Sequence, residues 1–173
     1  MSNMVEFLEG IAKKESKVRA VLKRSLAFEP GLYPPAFPYV EHRLGSNYDN
    51  WKRTVFYLVA GLWSLHRGEV HGQGQTLSSA CKAFYFKSNK SSSVEKRFIV
   101  LLDADDGQLS HRLRQIVALL KEYPIDFDVL LKDLLSWNHP DKWVQIKWAK
   151  EFYKDTDDKE NEAETINQKE SLK

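Results

Sequence analysis

Three groups of side chains in this sequence have the composition to do chemistry. Asp103, Asp105 and Asp106 stand together before Gly107, and carboxylates grouped this way can hold Mg²⁺ for phosphoryl chemistry. The plainer reading is a helix stop followed by an N-cap, which needs only short acidic side chains, and it is the favoured one. Cys81 is a single thiol flanked by Ala80, Lys82 and Ala83. A catalytic cysteine needs a lowered pKa and a partnered histidine; nothing local supplies either, so Cys81 reads as a packing residue. The five histidines, His42, His66, His71, His111 and His139, show no i, i+4 pair with a glutamate and no cysteine cluster. That argues against a zinc site and for surface or loop-packing roles. No glycine-rich phosphate loop, GxSxG elbow or dinucleotide fingerprint occurs. No cofactor is expected, and the chain reads as a non-enzyme.

The third group is basic. Lys23 and Arg24 close a first helix, Lys52 and Arg53 open a second, and Lys96 and Arg97 lie in the helix before the one that carries Arg112 and Arg114. Lys142 and Lys147 lie in the last helix, interleaved with Trp143 and Trp148. Basic stripes with nearby aromatics are what a phosphate backbone needs, because cations release counterions and rings can stack on bases. These ten residues are the candidate nucleic-acid-binding set. The pairs Lys96-Arg97 and Arg112-Arg114 are the strongest candidates; a solvated helix face explains the same pattern, some members are expected in ion pairs with Glu95, Asp103 or Glu151, and a partly buried structural ion pair is the alternative for Arg97. Trp63, Trp137, Trp143 and Trp148 are expected to be core or interface anchors, not stacking platforms.

The elements that must position these residues are helical. Apolar residues recur at three and four, with punctuation in few places. Met4 to Phe28 reads as a helix interrupted near Lys14 to Ser16. Glu29 to Pro38 holds four of the six prolines and reads as a stiff, extended connector pinned by Phe28, Tyr33, Phe37 and Tyr39. Asp49 caps a helix from Asn50 to His66, with Gly68 as its stop, and Arg67 to Gln75 is a flexible loop. Leu77 to Phe86 is helical. Lys87 to Ser93 (KSNKSSS) is the candidate linker, and Ser92 with Glu95 has capping-box spacing. Further helices run from Gln108 to Glu122, from Phe127 (capped by Asp126) to Trp137, and from His139 (capped by Asn138) to Tyr153. The fold class is therefore all-α: two small helical bundles packed together, an N-terminal lobe over 1–87 and a C-terminal lobe over 88–153. An acidic tail over 154–173 is expected to be disordered, since its apolar content cannot support a core.

Composition agrees. Hydrophobic residues make up 42% and charged residues 29% of the 173, enough for a buried core. Residues from Lys154 onward carry four Lys against seven Asp or Glu, a net −3, so Met1 to Tyr153, with 22 Lys+Arg against 17 Asp+Glu, holds +5. One cysteine allows no internal disulfide and points to a reducing compartment. No apolar run has membrane-spanning length, so no membrane partner is expected and the cytoplasm is the expected location.

Five blocks carry a resemblance. They are FYLVAGLWSLH (Phe56 to His66), TLSSACKAF (Thr76 to Phe84), SVEKRFIVLLDAD (Ser93 to Asp105), LRQIVALLK (Leu113 to Lys121) and IDFDVLLKDLLSWNHPDKWVQIKWAKEFY (Ile125 to Tyr153). In this order they resemble the CasB family, the small subunit of the type I-E Cascade complex, a CRISPR RNA-guided surveillance assembly. Ser79-Ala80 replaces a glycine-containing turn that members often show, which touches packing only. The resemblance implies a non-catalytic subunit, two copies of which sit head to tail along the Cascade backbone subunits, with the large subunit as a further partner. It also implies a basic surface that holds the CRISPR RNA–target DNA hybrid and the displaced single-stranded DNA, stabilising the R-loop. Two readings compete: a purely structural helical adaptor with no nucleic-acid contact, and a metal-dependent nuclease using the Asp103 cluster.

Overall fold

The structure, a computed structural model, describes residues 3–66 and 73–154. Helix α1 (Met4–Lys14) is capped by the Asn3 side chain, which accepts from the Glu6 N–H, and it ends at Glu15 in extended backbone. Helix α2 (Lys17–Ser25) follows at once, so the interruption falls where the apolar spacing breaks. α4 (Asn50–Leu65) starts from Asp49, whose carboxylate accepts from the Lys52 N–H. α5 (Leu77–Lys87), α6 (Ser92–Leu102), α7 (Asp106–Leu119) and α8 (Phe127–Leu135) come next, and a last helix, α9, runs over residues 143–154. The described residues are helices, turns and bends, with no strand.

α4 is the axis of the molecule. Ten consecutive residues, Val55 to Ser64, are buried, which happens only when a helix is covered on every side. α2, α7 and α8 pack around it, with α1 against α2 and α8, and α6 against α5 and α7. α2 comes close at Gly61, where a Cβ would stand 2.5 Å from Leu26 Cδ2 and 3.3 Å from the Leu22 carbonyl oxygen of α2. α9 joins through aromatic contacts, Phe152 stacked on Phe98 at 4.4 Å and Trp148 tilted on Trp137 at 5.3 Å. The buried apolar side chains form one cluster from Met4 to Phe152, continuous across residues 87 and 88.

Several expected elements are revised. The proline-rich connector is not extended: Pro34–Ala36 forms a 3₁₀ turn, Phe37–Val40 a short helix α3, and Glu41–Arg43 a second 3₁₀ turn. Proline's fixed φ suits first-turn positions, where its missing N–H costs nothing. Of the four aromatics meant to pin it, Tyr39 is buried and Phe28 is 46% exposed. The capping box is absent: the N-cap of α6 is Ser91, without a side-chain cap bond, and Asn89 and Lys90 both sit at φ 56° in the preceding turn. α7 begins at Asp106 and α8 stops at Leu135. The last helix starts at 143, not at His139, and it extends through Lys154, one residue into the expected tail. Pro140 explains the late start, because it disfavours helical backbone at His139 and has no N–H to donate. Gly68, the Arg67–Gly72 part of the expected loop, and the tail from Asp155 on lie outside the described residues.

Candidate nucleic-acid interface

The ten candidate cations meet different fates. Arg53, in the first turns of α4, is held inside the fold. Its Nε and Nη2 donate to Glu41 Oε1 at 3.1 and 2.6 Å, and its Nη1 donates to the Gly31 carbonyl at 2.6 Å. Its guanidinium also lies over the Tyr57 and Phe37 rings. Gly31 is at φ +86°, and a Cβ there would fall 2.2 Å from Arg53 Nη1, so only glycine allows this contact. Burial works to raise the Glu41 carboxyl, but hydrogen bonds from Tyr57 and Arg53 outweigh it and hold Glu41 below its ordinary value. Arg114 of α7 donates from Nη1 to the Leu26 carbonyl just beyond α2, at 2.5 Å. Lys147 of α9 pairs with Asp133 at 2.6 Å, and the buried Asp133 also accepts from Trp148 Nε1 at 2.7 Å. Arg112 is half-buried with its Nε unpartnered, and Lys52 is half-buried with its Nζ 5.7 Å from the Phe56 ring centroid.

The other five are exposed: Lys23 and Arg24 on the outer face of α2, Lys96 and Arg97 on that of α6, and Lys142 in the turn before α9. Arg97 is exposed, so the alternative of a partly buried structural ion pair does not hold for it. The carboxylates expected to absorb cations are engaged elsewhere: Glu95 accepts from the Tyr153 hydroxyl at 3.1 Å, and Glu151 accepts from the Thr76 and Ser78 hydroxyls at the start of α5. α6 and α7 pack side by side, and Arg114 ties α7 to the end of α2. The cations of α6, α7 and α2 therefore lie on a connected run of helices. Lys142 stands apart, with backbone φ 47°, lining an open cleft of about 640 Å³ that it shares with Asp103, Asp105 and Asp106.

Asp105 has its carboxylate on the Gln108 N–H and caps α7, as the simpler reading required. Cys81 is buried, and burial pushes its thiol well above the ordinary range, which leaves it protonated and unreactive. Trp63, Trp137 and Trp148 are 2% exposed or less, whereas Trp143 is 41% exposed and is not a core anchor. His66 is buried, with Nε2 at 3.1 Å from the Leu120 carbonyl and 2.7 Å from that of Tyr123, so it ties the end of α4 to the turn after α7.

Two features lie outside the ten candidates. Arg19 lies 3.9 Å over the Trp63 ring and donates to the Trp63 and His66 carbonyls, closing the C-terminus of α4; burial lowers its pKa. Lys82, Lys150 and Lys154 line a shallow cleft of about 460 Å³ at the end of α9. The i, i+4 spacing of Lys150 and Lys154 was visible in the sequence, but Lys82 joins them only through the packing of α5 against α9.

These features define an all-helical protein with exposed cations on the outer faces of α2 and α6 and no group of three or more metal-ligating side chains among the described residues. None of the described helices is long and apolar enough to cross a membrane. The family model for CRISPR-associated protein Cse2 matches residues 18–153. A CRISPR-associated Cse2 protein of Thermus thermophilus is 48% identical over 144 residues, 82% of this chain and 81% of the relative. The crystal structure of CasB from Thermus thermophilus superposes with a TM-score of 0.78 at 44% identity, covering 87% of this chain and 95% of that one. M. ruber CasB gives 0.74 at 33%, covering 93% and 98%. The chain belongs to the CasB (Cse2) family of CRISPR-associated proteins. A chain of a CRISPR RNA-guided surveillance complex shares the fold, with a TM-score of 0.76 at 19% identity over 92% of this chain and 95% of that one.

Proposed function

We propose that this protein is the non-catalytic small subunit of a type I-E Cascade complex, in which it holds DNA by its backbone and stabilises the R-loop. The observation that carries this reading is the set of exposed cations, Lys23 and Arg24 on α2 and Lys96 and Arg97 on α6, for which no carboxylate partner is found among the described residues. Arg53 and Lys147, by contrast, are taken up by Glu41 and Asp133 inside the fold. Membership in the family supports the assembly. R-loop formation is nearly balanced in base-pairing energy, so a few phosphate contacts can tip it. Such contacts position a strand without reading its sequence, which suits a subunit that must accept every target. Lys52, Arg112 and Lys142 are secondary members of the interface. Arg53, Arg114 and Lys147 support it from within by fixing α4, α7 and α9.

Exposed apolar side chains on α6 and α9, Ile99, Val100, Trp143 and Ile146, are suited to protein partners: the backbone and large subunits, and a second copy of this chain. The division into lobes at residues 87 and 88 and a cytoplasmic location belong to this reading. The adaptor alternative draws on the same apolar side chains. A salt titration of R-loop retention in the assembled complex separates the two. Lys96→Ala/Arg97→Ala should flatten the log–log salt slope by about 0.7–0.9 per lost phosphate contact and weaken all targets alike. An unchanged slope with unchanged affinity leaves the adaptor reading.

A further inference from the structure

The turn between α6 and α7 and the turn before α9 enclose an acidic cleft of about 640 Å³. Asp103, Asp105 and Asp106 come to it from the first turn, and Asn138, His139 and Lys142 from the second. Asp105 gives one oxygen to the Gln108 N–H at 3.0 Å. Asp103 and Asp106 are exposed and make no ion pair among the described residues, and the exposed Lys142 pairs with neither of them. Trp137, buried, joins the two turns by donating from Nε1 to the Ala104 carbonyl at 3.1 Å. Gln145 lines the same cleft and is 8% exposed. Its Nε2 donates to the Trp137 carbonyl at 2.9 Å, which fixes the orientation of the amide, since the reverse would set two oxygens against each other. Its Oε1 is left buried without a donor, a cost that a ligand bringing an N–H removes.

From this we infer that the cleft receives an arginine side chain presented by a neighbouring protein subunit. The carboxylates select positive charge and repel a phosphate backbone. No group of three or more His, Cys, Asp or Glu among the described residues is placed to hold a metal ion, so the cation that fits is an organic one. A guanidinium meets the site better than an ammonium does. It is planar, weakly hydrated and carries its N–H donors in a rigid fork, so one edge can pair with a carboxylate while another turns to the Gln145 oxygen. Apolar surface lies alongside: Trp143 and Ile146, about one helical turn apart on α9, are 41% and 50% exposed. Arginine and aromatic side chains are the ones that protein interfaces favour as anchors. The outer faces of α2 and α6 thus present cations to a strand, and this cleft presents carboxylates to a protein. The identity of the occupant rests on the reading of this chain as a subunit of an assembly; the affinity of the cleft for a guanidinium does not.

Two measurements test it. In the first, the isotope-labelled full chain is titrated with the peptide Ac-Ala-Arg-Ala-Arg-Ala-amide, with the same peptide carrying citrulline for arginine, and with oligothymidine, each followed by two-dimensional NMR. The arginine peptide should shift the Gln145 side-chain amide, the Trp137 indole N–H and the Gly107 backbone amide to saturation. Asp103→Asn/Asp106→Asn should weaken that binding about fivefold, and the difference should shrink as salt rises. Asp105 is left in place because it caps α7. The citrulline peptide, which keeps the shape and loses the charge, and the oligothymidine should leave these signals where they are. No saturable shift with the arginine peptide, or an equal shift with the citrulline one, overturns the inference; a shift with oligothymidine assigns the cleft to the strand-binding surface and overturns it as well. In the second, wild-type and Asp103→Asn/Asp106→Asn chains compete for incorporation into the assembled complex, and the variant should be taken up about threefold less. Equal uptake overturns the assignment of the occupant to a neighbouring subunit. A chain that binds the arginine peptide but enters no complex in either form keeps the cleft and removes the assembly reading instead.

Discussion

The dipeptide Lys-Arg occurs three times, near the end of α2 (Lys23-Arg24), at the start of α4 (Lys52-Arg53) and within the first turns of α6 (Lys96-Arg97), and the last two do opposite things. Arg53 is drawn inward by Glu41, Gly31 and Tyr57, three groups delivered by the folded proline-rich connector and by α4 itself. Lys96 and Arg97 face solvent with no ion-pair partner among the described residues, while Glu95, next to them in the chain, accepts from the Tyr153 hydroxyl. Nothing in the dipeptide or its helical setting differs enough to separate them. The difference lies in what a distant segment brings alongside. A cation met by a partly buried acid becomes part of the scaffold, and one that is not met remains available to a ligand.

If that division is right, stability should depend on the inward-facing side and hardly at all on the outer face. The largest loss is expected from Trp148→Ala, about 3–5 kcal/mol for a fully buried ring, read from denaturant unfolding. The truncation also takes the Nε1 donor away from the buried Asp133. Arg53→Ala is expected next, at about 1–3 kcal/mol, since it strips donors from Glu41 and from the Gly31 carbonyl. Its partner in the comparison, Lys96→Ala/Arg97→Ala, should leave the unfolding midpoint in place while changing the salt slope of strand retention. If both pairs cost the same stability, the division fails.

A finer test uses pH. Glu41 titrates below its ordinary value in the folded chain, so its contribution is present above the unfolded value of about 4.3 and is lost as pH falls through the lower folded value. Glu41→Gln should therefore flatten the decline of stability below about pH 4.3, measured by thermal unfolding across an acid series. Asp128 works in the other sense. Burial raises its carboxyl more than the N–H groups of Met4 and Val5 lower it, so Asp128→Asn should relieve a small penalty above the ordinary aspartate range of about 3.9 and leave the acid limb intact. The smallest effect is expected from ending the chain at Asp155, which should leave the melting temperature unchanged because the composition of the segment removed offers little apolar surface to bury. A large drop would mean that residues beyond Asp155 contribute to the fold.

Much of the scaffold was legible from spacing alone. α4 was placed within one residue at its C-terminal end, because Asp49 is a strong cap and the apolar run that follows has helical length and period. The break between α1 and α2 and the cap at Asp126 were likewise written in local residue types. Two of the errors came where proline was read by its usual behaviour. The connector coiled into short turns because its aromatics and Glu41 have a core to reach, and the last helix began late because His139-Pro140 resists the helix that Asn138 would otherwise start.

What the sequence determined by itself was the helical class, the family through its five blocks, and the inventory of cations, since periodicity, caps and motif order are properties of neighbouring residues. What only the tertiary structure decided was which cations are available. That choice turned on contacts between residues far apart in the chain: Arg53 with Gly31, Arg114 with Leu26, Lys147 with Asp133, and Tyr153 with Glu95. The free energy of an ion pair depends on burial and on the distance to its partner, and a linear pattern of residues holds neither quantity until the helices have packed.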